Sequence, residues 1–374
     1  MQDFVRRACL IILGGMLTAC ATTQSNSATL PPAQTTLAQI TPQPEMLPAA
    51  TNISVPEGFA VEVYAQGLAN PTALAWGDDG TLYVTQISGQ ENGGTGQVVA
   101  IATGGAAPVV VLEGVFKPTG LVWREDELYL AAGRDLLRTR FVNGSLAPPE
   151  RVVGDLAFNG RSEGQIDLLP DGRLVFEASG SVGDPNSGRL WTLQPDNEPQ
   201  VLATGLKNGY AYALDPASGQ MYSTEIGDDA MNGTAPPEEI NVIQAAGDYG
   251  WPLCYAEREP ALDRGATSET CTATQPPIVT FPRHSTPTGL AWYDQSDFPE
   301  SYRNSLYVAL WNGDPPQVLH VALRQENGRT VGTATPFISG MKRPIDVLAD
   351  PNGGLLALDY VGGIVYRVYA TASR

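Results

Sequence analysis

From Phe59 onward the chain alternates short apolar runs with polar, glycine-rich turns, and the alternation itself repeats. The first copy reads Pro71-Thr72-Ala73-Leu74-Ala75-Trp76, turns at Asp79-Gly80 and resumes at Leu82-Tyr83-Val84. Further copies open at Pro118, Gly164, Asn208, Pro287 and Pro344, and most run on into a third apolar stretch, as at residues 97–101, 189–193 and 364–368. The first three steps are about 45 to 47 residues, the period of propeller blades. Asp-Gly and Asn-Gly supply the positive φ that tight hairpins need. Alternating small and large apolar residues suit strands that taper toward an axis. Six copies predict an all-β, six-bladed β-propeller with four-stranded blades over residues 53–374, with residues 59–64 completing the last blade and closing the ring.

Composition agrees. With 40 Gly, 30 Pro and only 17% charged residues, the chain suits many short strands rather than a helical bundle. Its 43% hydrophobic share supports a sizeable core. A net charge of −18 argues against nucleic acid as a partner and against a polybasic membrane contact.

The N-terminus reads as an address. Arg6 and Arg7 precede an apolar run at residues 8–17 that is too short to span a bilayer, which takes about 20 residues. The run ends in Leu17-Thr18-Ala19-Cys20, which resembles the lipobox of bacterial lipoproteins. That resemblance implies a signal peptide over 1–19 and lipidation of Cys20; an ordinary secretory signal is the alternative, and both imply export. Residues 20–52 read as a disordered tether. The expected membrane contact is then through the N-terminal lipid alone, and Ala21 favours an outer membrane where the cell has one. Loss of Asp3, Arg6 and Arg7 with the signal leaves a net charge of −19. Cys254 and Cys271 remain, and in an oxidising compartment they are expected to form one disulfide. A metal site is the weaker reading, because only His284 and His320 could complete it.

The step from the fourth copy to the fifth is about 79 residues, so the fourth blade carries an excursion on the loop side where propellers place their sites. The excursion holds Glu238-Glu239-Ile240-Asn241 and Tyr249-Gly250-Trp251-Pro252. With Lys207-Asn208-Gly209, His284-Ser285-Thr286-Pro287-Thr288-Gly289 and Arg343-Pro344-Ile345-Asp346-Val347, these stretches resemble the quinoprotein glucose/sorbosone dehydrogenases over residues 53 to 370. The resemblance implies a propeller that binds pyrroloquinoline quinone (PQQ) and Ca²⁺ on one face. It further implies oxidation of a sugar or sugar-derived aldehyde and transfer of the electrons to an external acceptor. PQQ carries three carboxylates and needs cations, the hard metal ion takes oxygen ligands, and a base of near-neutral pKa must meet the reacting hydroxyl.

On the matching positions, Lys207, Asn208 and Arg343 are the expected cofactor-binding residues, with Trp311 standing where the family has a cation. The main-chain carbonyls of Gly227 and Asp228 are the expected calcium ligands, with Glu225 and Asp229 nearby. Arg161 occupies the position of the family's catalytic histidine, and arginine cannot serve as a general base. Asp167 or Glu163 is the candidate substitute, and a non-catalytic propeller that binds a glycan, protein or metal is the competing expectation. Glu239 and Trp251 read equally as braces for the excursion. His284 could face the mouth, and His320, in an apolar strand, reads as structural.

Overall fold

The structure is a computed structural model that describes residues 50, 52–87, 94–157, 164–179 and 181–371. Its sheets form the expected propeller, each blade an antiparallel meander that starts at the axis. Blade 1 comprises Pro71–Trp76, Leu82–Ile87, Thr95–Ile101 and Val109–Phe116. Blade 2 runs Pro118–Arg124, Glu127–Ala132, Asp135–Val142 and Glu150–Val153, with the two-residue strand Ser145–Leu146 added at its rim. Blade 3 is Ile166–Leu168, Leu174–Ala178, Arg189–Leu193 and Pro199–Thr204, and blade 4 is Tyr212–Asp215, Gln220–Glu225, Glu238–Ile243 and Val279–Phe281. Blade 5 follows with Pro287–Tyr293, Ser305–Leu310, Gln317–Glu326 and Arg329–Ser339. Blade 6 takes Pro344–Asp350, Gly354–Asp359 and Ile364–Ala370 from the C-terminal end and its outer strand, Phe59–Gln66, from the start of the fold.

That last pairing closes the ring, with Phe59 opposite Ala370 and Gln66 opposite Ile364. Three forces hold it. Main-chain bonds form the ladder, and Phe59 packs edge-on against Phe298, Tyr302 and Phe337 at 4.9, 5.0 and 5.1 Å. Arg367 bridges Glu62 of the closing strand at 3.1 Å and the carboxylate of Asp350, which is only 1% exposed. Ordered packing begins slightly before the expected start, because Ala50 already lies in the core between blades 5 and 6.

The apolar core is distributed. One layer lies between each pair of neighbouring blades, as where Leu74, Leu82 and Val84 of blade 1 meet Ile345 and Leu356 of blade 6. At the axis the inner strands come closer than side chains allow. A Cβ on Gly120 would fall 2.7 Å from the Cα of Gln165, and one on Gly289 would fall 2.5 Å from the Cα of Asp346. Close approach lets neighbouring blades bond directly. The Thr72 hydroxyl donates to the Pro118 carbonyl at 2.7 Å, the Thr119 hydroxyl to that of Gly164 at 3.2 Å, and the Leu74 N–H to the Asp346 carboxylate at 2.8 Å.

The excursion splits blade 4 between its third and outer strands. It folds as a short hairpin, Cys254–Tyr255 with Glu259–Pro260, followed by a capped helical turn at Ser268–Cys271. The expected disulfide joins Cys254 to Cys271 with Cα atoms 5.7 Å apart. Among the described residues no helix is long and apolar enough to cross a membrane.

Gly289→Ala must push blades 5 and 6 apart at the backbone, and overpacking of this kind costs about 1–3 kcal/mol; urea unfolding measures it, and an unchanged midpoint would refute the crowding. Arg367→Met leaves Asp350 buried without its cation, for which the expected loss is about 3–5 kcal/mol. Glu62→Gln, which removes the more exposed partner, should cost less in the same assay.

Candidate active site at the mouth of the ring

At one end of the axis, residues from the inner strands of blades 1, 2, 5 and 6 and from the entry to blade 4 surround an open-mouthed cavity of about 80 Å³. Thr72, Thr119, Thr288 and Ile345 line it from the inner strands, with Tyr210 and Thr286 just ahead of the blade 4 and blade 5 inner strands. Ile87, Ile226, Trp311 and Tyr360 line it from the ends of second strands. Trp311 and Tyr360 pack edge to face at 4.8 Å, forming an aromatic wall between blades 5 and 6.

The expected cationic residues stand in the loops that enter the inner strands. The Arg343 N–H donates to Asp359 Oδ1 at 3.0 Å, and its guanidinium donates to the Lys342 carbonyl at 3.3 Å without an ion pair among the described residues. Lys207 is half-buried, and its N–H donates to Glu225 Oε1 at 2.8 Å. Asn208 is buried behind it, with its amide nitrogen turned to Glu177 at 2.8 Å. Lys117, at the corresponding place in blade 2, was not among the expected residues. It is 1% exposed. The signal was present, since Lys117-Pro118-Thr119-Gly120 parallels Arg343-Pro344-Ile345-Asp346.

Behind Lys207 lies a carboxyl cluster. Glu225 and Glu239 are buried on either side of Asn241, whose amide nitrogen stands 3.4 and 3.3 Å from them. Burial, reinforced by the neighbouring carboxylates, pushes Glu225 well above its ordinary range, and burial likewise raises Glu239 to about 7. Glu239 also accepts the Ala256 N–H at 2.6 Å, which makes it the brace of the excursion. Burial raises Glu238 to about 7, against the pull of hydrogen bonds from the Gly227, His284 and Thr286 N–H groups. Glu238 thereby ties blade 4 to the loop of blade 5, where His284 and Thr286 hold φ values of 61° and 54°. A β-branched residue at such a φ is strained, and strain of this kind persists only where neighbours over-determine it.

Asp228 does not present its side chain to a metal. It accepts from Arg264 and from the Trp251 indole N–H, both at 2.9 Å. Burial opposes ionisation there, but those two donors outweigh it and hold the carboxyl below its usual range. Among the described residues no group of three or more His, Cys, Asp or Glu is placed to hold a metal ion. Asp229 is exposed.

Neither histidine lines the cavity. His284 is exposed, and His320 is buried in blade 5, with Nε2 3.0 Å from the Ser305 hydroxyl and its pKa lowered to about 4 by burial. Asp167, on the blade 3 inner strand, is half-buried and does not line the cavity, and burial raises it to about 6 against the pull of the Leu168 N–H at 2.7 Å. Asp346 rises to about 7 for the same reason. Arg161, Glu163 and Cys20, like the signal and all but the end of the tether, lie outside the described residues.

The sequence profile described as glucose/sorbosone dehydrogenase matches residues 173–366, more than half of the chain. An uncharacterized protein of Borreliella burgdorferi is 22% identical over 357 residues, which span 85% of this chain and 91% of that one. The aldose sugar dehydrogenase YliI of Escherichia coli is 24% identical over 222 residues, 50% of this chain and 56% of that protein. Among solved structures, the PQQ-bound aldose sugar dehydrogenase of Streptomyces coelicolor superposes with a TM-score of 0.63 at 18% identity, over 84% of this chain and all of that one.

Carboxyls whose pKa is raised by folding stabilise the fold while protonated, so their contribution is lost as pH rises from about 4 through 7. For Glu239, Glu239→Gln should therefore gain thermal stability relative to the parent as pH goes from 5 to 8. A difference in Tm that stays constant across that range would exclude the raised pKa.

Proposed function

The chain belongs to the glucose/sorbosone dehydrogenase family, and on that premise we propose that it is an exported quinoprotein that uses PQQ to oxidise an aldose or sugar-derived aldehyde and passes the electrons to an external acceptor. The observation that carries this reading is the mouth itself, where an open cavity with hydroxyl and aromatic walls adjoins the loops that carry Arg343 and Lys207 in a protein of net charge −18. The lipobox resemblance adds anchoring through Cys20.

The residues present fit the quinone. Thr288, which lines the cavity, has a buried Oγ1 with no hydrogen-bond partner among the described residues, which is costly unless a bound polar group satisfies it. The guanidinium of Arg343 keeps donors for a carboxylate, and Lys207 supplies a second positive charge. Trp311 and Tyr360, packed edge to face, offer aromatic surface against which a fused ring system could lie. When bound, PQQ would supply a two-electron acceptor for the hydride leaving the substrate carbon. Among the carboxyls of the expected site, Asp167 on the blade 3 inner strand is the proposed acceptor of the hydroxyl proton, and since it does not itself line the cavity the proton would have to reach it through an intervening group such as water. The side chains do not fit calcium in the same way. Asp228 is taken by Arg264 and Trp251, and Glu225 by Lys207 and Asn241, so an ion would depend on the carbonyls of Gly227 and Asp228.

A second reading, a propeller that binds without turnover, is favoured by Arg161 at the position of the family's base and by the absence of both histidines from the cavity lining. One titration separates them. Residues 21–374 mixed with PQQ, with and without Ca²⁺, should give a bound quinone spectrum and reduce a dye with aldoses, and Arg343→Ala should weaken binding roughly tenfold, or about 1.4 kcal/mol. No quinone binding at micromolar cofactor refutes the enzyme. Binding without turnover, restored by Arg161→His, selects the second reading.

A further inference from the structure

The loops that carry the mouth cations are folded by carboxyl groups from behind. Asp359 closes the second strand of blade 6 and is 1% exposed. Its Oδ2 accepts the Lys342 N–H at 2.8 Å, and its Oδ1 accepts those of Arg343 and Gly362 at 3.0 and 2.9 Å. Three main-chain donors satisfy a buried carboxylate without any cation, and the Arg343 guanidinium is left to other partners. Glu225 stands at the same end of blade 4 and takes the Lys207 N–H at 2.8 Å, its other oxygen facing Asn241. Glu177 of blade 3 accepts the Gly164 N–H at 2.7 Å and the Asn208 amide. Elsewhere the device changes. Gln86, a neutral acceptor, holds the Ala69 N–H of blade 1 at 2.8 Å. The strand ends Ala132 and Leu310 offer no side-chain acceptor, and in blades 2 and 5 main-chain bonds take over, from Gly133 N–H to the Lys117 carbonyl at 3.2 Å and from Trp311 N–H to that of Thr286 at 2.9 Å.

We propose that Asp359 and Glu225 are positioning residues of the mouth, each folding one cation-bearing loop by its backbone so that Arg343 and Lys207 meet a carboxylate-bearing ligand with their charges unpaired. An ion pair with the side chain would cancel the cation, whereas capture of the backbone orients it and leaves it available. The inference deepens the quinone reading and rests on it for the identity of the ligand.

The test is a double-mutant cycle on the mature chain, read as the Kd for PQQ by quinone absorbance. Asp359→Asn places an amide nitrogen against main-chain donors, so it should weaken binding about tenfold in the parent and have little further effect in an Arg343→Ala background. Asp350→Asn, at the far end of the blade 6 inner strand, should lower Tm without changing Kd. Equal Kd for the parent and Asp359→Asn, or additive losses in the cycle, overturns the proposal. If Asp359→Asn does not fold, Glu225→Gln with Lys207→Ala repeats the cycle in blade 4. If the parent binds no PQQ, the quinone reading fails first. Modification of Arg343 by phenylglyoxal, followed by peptide mass spectrometry, then decides the positioning alone: a rate altered in Asp359→Asn and not in Asp350→Asn upholds it, and an unaltered rate overturns it.

Discussion

Six sheets can meet around one axis only if their inner strands touch backbone to backbone, and most of what distinguishes this chain follows from that crowding. Gly120 and Gly289 stand where no Cβ fits. Ala73 and Ala211 supply a similarly small side chain in blades 1 and 4. Backbones this close bond across blades, through Thr72, Thr119 and Asp346, so the axis is cross-linked by short polar contacts rather than filled by a hydrophobic plug. The apolar burial moves outward into the layers between blades.

Crowding also makes the mouth. Each chain must turn sharply to enter an inner strand, and the turn leaves main-chain N–H groups pointing inward with no strand to pair them, a loss that buried donors do not tolerate. In four blades a side chain at the end of the second strand accepts them, and in three of those it is a carboxyl group. The acidic character of the ring's interior near the mouth is thus first a solution to a backbone problem. Its consequence for chemistry is secondary but direct. Loops held by their backbones leave the Arg343 guanidinium without an ion pair among the described residues, in a protein whose overall charge is strongly negative.

The fold was legible because its signals are local. Asp79-Gly80 and Asn352-Gly353 mark hairpins by their own φ requirement, and Gly80 and Gly353 indeed hold φ values of 78° and 81°. The small residues at the inner strands repeat in register with those turns. The disulfide was legible because elimination left two cysteines. The carboxyl groups at the mouth were not, since their role depends on which end of a strand they occupy and which neighbouring loop lies behind it. Glu225 therefore read as part of an acidic loop beside Asp228 and Asp229, yet the three diverge completely: Glu225 is buried, Asp228 is paired with Arg264, and Asp229 is exposed. Lys117 was missed for a related reason, because a basic residue before Pro118 carries meaning only once blades 2 and 6 are superposed.

The same dependence on neighbours bears on how this ring could lose or keep a catalytic function. The scaffold of the mouth is made of strand ends, backbone bonds and buried acids that the fold needs for its own closure. A base can therefore be lost while the cavity, its cations and its aromatic wall survive intact. Conversely, Asp167, a carboxyl raised to about 6 by burial, lies on an inner strand that the ring requires in any case, so its raised proton affinity comes with the fold and not with a particular ligand.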